Sequence, residues 1–184
     1  PLNQFKEIFD HYKIIDYIKF STTDDIKDAN IAATLLKITE RKTAKGNSYA
    51  VIKFTDLTGV FELFLFSDVL ELNREILVEG NSLIVTLIKN ISNDENRFKR
   101  INVQKIASLK DLFNKPMPEI TFKIGSIKDL DKISELITKE GSTEVKIHLK
   151  DKNNEFTFKL NNKRLIDRKS INTLKNCDIS TVFS

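Results

Sequence analysis

Cysteine, histidine and glycine are scarce in this chain of 184 residues, and their scarcity excludes several kinds of site. The single cysteine, Cys177, rules out an intrachain disulfide, and we expect an intracellular setting. The two histidines, His11 and His148, lie far apart, and with one cysteine they do not make a zinc ligand set. The five glycines are spaced too widely for a phosphate-binding loop. We therefore expect no metal and no other cofactor in this chain.

Long apolar runs are also missing. No stretch approaches the roughly 18 apolar residues that a membrane-spanning helix requires. The start, Pro1-Leu2-Asn3-Gln4, has neither a methionine nor the pattern of a signal peptide. We expect a cytoplasmic fragment of a longer protein, with no membrane partner. Its formal net charge of +4 is modest, so a merely solvated surface stays open as an alternative to a nucleic-acid partner.

Three β-rich runs between Asn30 and Phe66 are separated by breaks that contain Gly46 and Gly59. This pattern predicts an antiparallel three-stranded meander. Alternation divides its second and third runs into two faces. One face is apolar and can close a core: Ala50, Ile52, Phe54, Phe61, Leu63 and Leu65. The other mixes one cation, aromatic rings and a carboxylate: Tyr49, Val51, Lys53, Thr55, Glu62, Phe64 and Phe66.

The order of elements after the meander is more specific than the meander itself. Apolar residues from Ser67 to Leu77 have helical spacing, and two alternating runs follow, from Ser82 to Ile88 and from Arg97 to Ile106. Three strands, one helix and two strands within about 80 residues are the order of the oligonucleotide/oligosaccharide-binding (OB) fold. We predict a five-stranded OB Greek-key barrel over residues 29–108.

The flanking residues complete a β-rich chain of two domains. Residues 1–28 are predicted to contain a helix over 2–12 and a connector, because apolar residues recur there at helical spacing. Residues 109–117 are predicted to be a linker, because two of the three prolines lie at or next to its end. Alternating runs and a helical stripe that ends at Gly141 predict a small α+β docking domain over 118–184.

A binding surface is favoured over a catalytic site. The nearest candidate for a metal-binding carboxylate, Asp56, is better explained by a type I turn through Gly59. On an OB barrel, nucleic acid crosses strands two and three, and single-strand binding needs cations for phosphates and aromatic rings for bases. The candidates are Arg41, Lys42, Lys45, Asn47, Tyr49, Lys53, Phe64, Arg97, Lys99 and Arg100. Cations that only protect hairpin edges remain an alternative.

Three stretches carry a resemblance to a known family. They are Pro1-Leu2-Asn3-Gln4-Phe5, Thr43-Ala44-Lys45-Gly46-Asn47 and Phe61-Glu62-Leu63-Phe64-Leu65-Phe66-Ser67-Asp68. The chain resembles the C-terminal region of the bacterial DNA polymerase III alpha subunit, with an OB domain followed by a tau-binding domain. The sequence departs from the family at Ala44, where a lysine is common, and in the tail before Phe183, which lacks the family's glutamine.

The resemblance implies partners and a role. The barrel would contact single-stranded template DNA, and the last domain would dock the clamp-loader tau subunit beside other replicase subunits. The whole protein would be a DNA-directed DNA polymerase, but the family's polymerase domain lies upstream, so this fragment is expected not to be an enzyme. Two alternatives remain open: an OB module of another nucleic-acid protein, such as one that binds a tRNA anticodon, and a pure protein-interaction fragment.

Overall fold

The chain is β-rich and forms two compact units, residues 1–114 (unit 1) and 115–184 (unit 2). The structure is a computed structural model that describes residues 1–91, 99–174 and 177–183. No helix within those residues is long and apolar enough to cross a membrane.

Unit 1 is built on one antiparallel sheet of five strands in the order β3-β2-β1-β4-β5. Its elements are a 3-10 helix (Leu2–Ile8), α1 (Tyr17–Thr22), β1 (Asp28–Lys42), β2 (Ser48–Thr55), β3 (Val60–Phe66), α2 (Ser67–Leu72), β4 (Ser82–Ile91), β5 (Lys99–Ser108) and α3 (Leu109–Asn114). The long strand β1 is central, because its first half pairs with β4 and its second half with β2. A shift in register between Leu35 and Lys37 separates the two halves, so β1 can serve two neighbours.

The core of unit 1 lies on the face that alternation predicts. Every second residue of β2 and β3 is buried, and the residues between them are partly or fully exposed. Phe20 of α1 and Leu70 of α2 are fully buried against the same cluster. Burying a side chain of this size contributes about 1.5–3 kcal/mol, so both short helices are fixed by packing more than by their own propensity.

A buried lysine defines where α1 ends. The Lys89 ammonium group donates to the carbonyl oxygens of Phe20 and, at 2.7 Å, Thr23, and it lies 4.5 Å from the centre of the Phe20 ring. Carbonyls at the end of a helix lack partners within the helix, and a cation there also meets the negative end of the helix dipole. Burial, together with the neighbouring charge of Lys27, lowers the pKa of Lys89.

The helices of unit 1 differ from the prediction. The predicted helix over 2–12 is a 3-10 helix that ends at Ile8, because its buried residues recur every third position, which is the 3-10 period. Helix α1 lies where a connector was predicted. The helix after β3 ends at Leu72 and not at Leu77, since the Asn73 side chain donates to the carbonyl of Val69 at 2.7 Å. For the fifth strand, the predicted start at Arg97 lies outside the described residues.

The predicted linker over 109–117 is wrong in its first six residues. Residues 109–114 form α3, and Leu109 is fully buried in a cluster with residues of the 3-10 helix. The rings of Phe5 and Phe113 meet edge to face, with 5.7 Å between their centres. The prolines at 116 and 118 indicate only where the helix must already have ended, and α3 belongs to unit 1.

Ending the chain at residue 108 instead of 114 is expected to lower the free energy of unfolding of unit 1 by about 2–5 kcal/mol. The shorter chain loses the burial of Leu109 and the Phe5–Phe113 ring pair. Urea unfolding of fragments 1–108 and 1–114, followed by tyrosine fluorescence, measures the difference. Within 1–114, Leu109→Ala should reproduce much of the loss and Lys110→Ala, at an exposed position, almost none. Equal midpoints for the two fragments would contradict the expectation.

Unit 2 is a small α+β unit. Its elements are β6 (Glu119–Ile124), α4 (Asp129–Ser134), β7 (Glu140–Lys150), β8 (Glu155–Lys159), α5 (Arg168–Thr173) and β9 (Ser180–Phe183). The sheet order is β8-β7-β6-β9, with β6 parallel to β7 and the other pairs antiparallel. Helix α4 lies in the crossover between the parallel strands, and its Ile133 is buried in the same cluster as Phe122 and Ile147.

The prediction that Gly141 ends a helix is wrong. Helix α4 stops at Ser134, and Gly141 lies in β7. The chain near residue 165 passes directly over it. The Gly141 amide donates to the carbonyl of Lys163 at 3.3 Å, and the Leu165 amide donates to that of Lys139 at 2.9 Å. A Cβ on Gly141 would lie 2.3 Å from the Leu165 nitrogen, so glycine is required by the close approach of two backbones.

Candidate nucleic-acid interface

An open groove of about 830 Å³ lies on the outward face of the sheet of unit 1. Its walls come from β2, β3, β5 and the β1–β2 turn, with Lys42, Tyr49, Phe64, Phe66, Arg100 and Asn102 among the lining residues. The volume is in the range of ligand-binding clefts, and the lining combines aromatic rings with cations. The groove therefore holds both kinds of group that contact a single nucleic-acid strand.

Three aromatic side chains of this groove are brought together by the register of β2 and β3. Tyr49 stands directly opposite Phe66, and Val51 stands opposite Phe64. The Tyr49 and Phe64 rings are diagonal neighbours, with 6.4 Å between their centres and 34° between their planes. Phe64 is 54% exposed and Phe66 is 44% exposed. Clustered exposed rings on a sheet face are typical of a binding surface, because the hydration of apolar rings is unfavourable in free energy.

Arg100 connects the two edge strands of the sheet. Its guanidinium carbon lies 5.0 Å from the centre of the Phe66 ring, in a cation–π contact between β5 and β3. The two strands also approach one another within 8 Å between Cα atoms. Stacking on Phe66 holds the exposed Arg100 side chain at the groove, where its charge and planar group can contact phosphates or bases.

A second, smaller hollow of about 310 Å³ lies on the same outward face and extends the positive surface. Lys37, Arg41 and Lys53 line it, together with one carboxylate, that of Glu62. Glu40, next to Arg41, is bound instead by Arg74 at 2.6 Å. The residues that line the groove and the hollow therefore include five cations and one carboxylate.

The structure brings most of the predicted site residues to this face. The groove is lined by Lys42, Tyr49, Phe64 and Arg100. The hollow is lined by Arg41 and Lys53. The turn between β1 and β2 carries Lys45 and Asn47, both exposed. The backbone of Lys99, the first residue of β5, pairs with that of Ile91 in β4, and Arg97 lies outside the described residues. Whether these residues bind nucleic acid stays a prediction.

One aromatic ring and one cation of the face, Phe66 and Lys37, were missed by sequence reasoning. Alternation already placed Phe66 outward, but only the approach of β5, which brings Arg100 over its ring, makes it part of the groove. Lys37 was missed because the register shift in β1 interrupts the alternation at that position. Regular alternation beyond a bulge is not readable from the sequence alone.

Asp56 forms a turn, as the sequence indicated. Its Oδ1 accepts from the Thr58 amide at 2.8 Å, the Thr58 hydroxyl at 2.8 Å and the Gly59 amide at 2.9 Å. Its Oδ2 accepts from the Tyr17 amide at 2.7 Å, at the first residue of α1. Burial raises the pKa of Asp56, but the hydrogen bonds together lower it by more than burial raises it. The pKa therefore lies below its usual value. Both carboxylate oxygens thus have structural partners.

Comparison of the chain with protein-family models and with curated proteins found no match. Within residues 1–91, 99–174 and 177–183, no group of three or more histidine, cysteine, aspartate or glutamate side chains is placed to hold a metal ion. The chemistry of the groove on β2, β3 and β5 is therefore what bears on function.

Proposed function

We propose that unit 1 is an OB Greek-key barrel that binds single-stranded DNA across the outward face of β2 and β3. The strand order β3-β2-β1-β4-β5, with α2 between β3 and β4, supports the barrel. The approach of β3 to β5 supports its closure, since these are the two strands that would have to meet.

The observation that carries this proposal is the groove in which Tyr49, Phe64 and Phe66 lie beside Lys42 and Arg100. Stacking of a base on an aromatic side chain contributes about 1–3 kcal/mol and tolerates any base. Cations along the same face contact phosphates and release counterions, which makes binding dependent on salt. Bases in a duplex are stacked on one another and cannot reach the rings, so the groove favours single strands.

The resemblance to the polymerase III alpha subunit extends the proposal beyond unit 1. In that setting the groove would contact the single-stranded template, and unit 2 would dock the clamp-loader tau subunit. The fragment itself would contribute binding and no catalysis. This wider role rests on the resemblance, whereas binding of single strands rests on the groove and can be tested without the rest of a replicase.

Two substitutions separate stacking from electrostatics. Tyr49→Ala is expected to weaken binding of an oligo(dT) strand about 5- to 150-fold with little change in salt dependence, because stacking releases no counterions. Lys45→Ala or Lys42→Ala should weaken binding of all sequences and lower the slope of log K against log salt by about 0.7. Fluorescence anisotropy over a salt series measures both quantities.

Matched controls come from exposed side chains outside the groove. Leu72→Ala removes an exposed apolar side chain on α2, and Lys110→Ala removes one exposed cation on α3, and neither should change affinity. Duplex DNA of the same length is the second control. Equal affinity for duplex and single strand, or no binding at low salt, would rule out the proposed function.

A further inference from the structure

Strand β8 is an edge of the sheet of unit 2, and no second strand among the described residues pairs with its outer side. It pairs with β7 on one side, and all five of its residues, Glu155 to Lys159, are exposed. Two of them are large rings: Phe156 is 56% exposed and Phe158 is 42% exposed. Proteins usually protect such an edge with a bulge, a proline or an inward charge, because a bare edge pairs readily with another strand.

The two rings continue the apolar face of the sheet. Phe158 stands opposite Ile147, and Phe156 stands opposite Leu149. Both partners are buried in the core of unit 2. The apolar face therefore extends past the last buried row to β8, where water covers it. A strand added beyond β8 would complete this face.

The register of the β7–β8 hairpin determines which backbone groups point to the free side. The Leu160 amide donates to the Val145 carbonyl at 2.9 Å, and the Asp151 amide donates to the Asn154 carbonyl at 3.0 Å. Hydrogen-bonded and non-bonded pairs alternate between these two points. Phe156 and Phe158 therefore bond to β7. The amide and carbonyl groups that face outward are those of Glu155, Thr157 and Lys159.

The sequence of this edge, Glu-Phe-Thr-Phe-Lys, is complementary to itself in the antiparallel direction. About a two-fold axis at Thr157, Glu155 faces Lys159 of a second copy, and Phe156 faces Phe158 of that copy. The outward backbone groups fall in register at all three polar positions. The ring pairs fall at non-bonded positions, where side chains approach most closely. A parallel arrangement would instead place Glu155 on Glu155, which repels.

The charged ends of the strand remain available to a partner. Glu155 contacts the Nε2 of His148 at 3.1 Å, and Lys159 contacts Glu144 at 2.6 Å. Both side chains nevertheless keep more than half of their surface exposed. The Glu144 carboxylate also lies 3.9 Å from the Lys146 ammonium, so Glu144 keeps a cationic partner when Lys159 pairs with another copy. Each end can therefore pair with the opposite end of another copy.

We propose that two copies of this chain associate through antiparallel pairing of β8 with β8, which joins the two four-stranded sheets into one of eight strands. The interface contains two Glu155–Lys159 pairs and two Phe156–Phe158 pairs. Five residues from each copy make a small interface, so the dimer is weak and depends on concentration. The partner that fits this edge is thus another copy of the same strand.

Sedimentation velocity of the full chain over a range of concentrations tests this dimer. The wild type should shift from monomer to dimer. Glu155→Lys alone places lysine opposite Lys159, and Lys159→Glu alone places glutamate opposite Glu155. Each variant should dimerise at least about tenfold more weakly than the wild type, because each has two like-charged pairs. An equal mixture of the two variants restores both opposite-charge pairs and should form a mixed dimer as strong as that of the wild type.

The mixture also controls for misfolding, since a misfolded variant could not be rescued by its partner. Thr157→Pro is a second probe: it removes an outward amide that β7 does not use, so the monomer should fold while pairing is lost. A wild-type sedimentation coefficient that is independent of concentration would overturn the proposal. Dimerisation of each charge variant alone as strongly as the wild type, or failure of the mixture to dimerise, would overturn it as well.

Discussion

Replacement of Gly141 by alanine should destabilise unit 2 by about 3 kcal/mol. The new methyl group would lie 2.3–2.5 Å from main-chain atoms of Arg164 and Leu165. Backbone cannot rotate away as a flexible side chain can, so the segment that crosses Gly141 has to move. Its hydrogen bonds to Lys139 and from Gly141 would be lengthened or lost.

The composition of the chain allows this effect to be measured in one unit alone. Cys177 is the only cysteine and lies in unit 2, whereas all three tyrosines lie in unit 1. Reactivity of the Cys177 thiol in urea therefore reports unit 2, and tyrosine fluorescence reports unit 1. Gly125→Ala is the matched control, since no atom of the described residues lies within 4 Å of the added methyl group. If Gly141→Ala shifts the thiol-reactivity midpoint no more than Gly125→Ala does, the close approach is not as described.

The second large effect is expected at Asp56. Asp56→Ala should lower the free energy of unfolding of unit 1 by about 3 kcal/mol, because hydrogen bonds to a charged group contribute about 1.5–3 kcal/mol each and do not add fully. The carboxylate joins the β2–β3 turn to the first residue of α1, so its loss frees both. Urea unfolding followed by tyrosine fluorescence measures the change.

The same carboxylate predicts a pH dependence. The folded pKa of Asp56 lies below that of the unfolded chain, which is about 3.9. Its contribution is therefore fully present above the unfolded pKa and is lost as pH falls through the folded pKa. Asp56→Asn keeps the shape without the charge, so the stability difference between wild type and variant should shrink below about pH 4. Asp25→Asn, at an exposed position, is the control. A difference that stays constant down to pH 3 would contradict this assignment.

The sequence predicts correctly those features that depend only on residues close together in the chain. The two faces of β2 and β3 follow from alternation, because each side chain is directed by the pleat of its own strand. The role of Gly141 depends on a segment more than 20 residues away in the sequence. Helix α3 likewise packs against the 3-10 helix, which lies about 100 residues earlier in the sequence. The predicted linker over 109–117 and the predicted helix stop at Gly141 both relied on local sequence signals. Tertiary packing overrides these signals at both positions.

The candidate site divides in the same way. Tyr49 and Phe64 were found because they share the outward face of two neighbouring strands. The stacking of Arg100 on Phe66 requires the two edge strands to meet, and strands β3 and β5 are more than 30 residues apart in the sequence. Composition shows that rings and cations are present, but only the fold brings this pair together.

The contact between the first and last helices of unit 1 bears on how the chain folds as it is synthesised. Phe5 leaves the ribosome before any strand of unit 1, whereas Leu109 and Phe113 emerge only after all five strands. This contact joins residues more than 100 positions apart in the sequence, and contacts of high sequence separation form late and slowly. The N-terminal segment can pack on Ala32 and Ile84 of the sheet earlier, but it lacks its α3 partner until translation of the sheet is complete, so docking of α3 should mark the end of folding of unit 1.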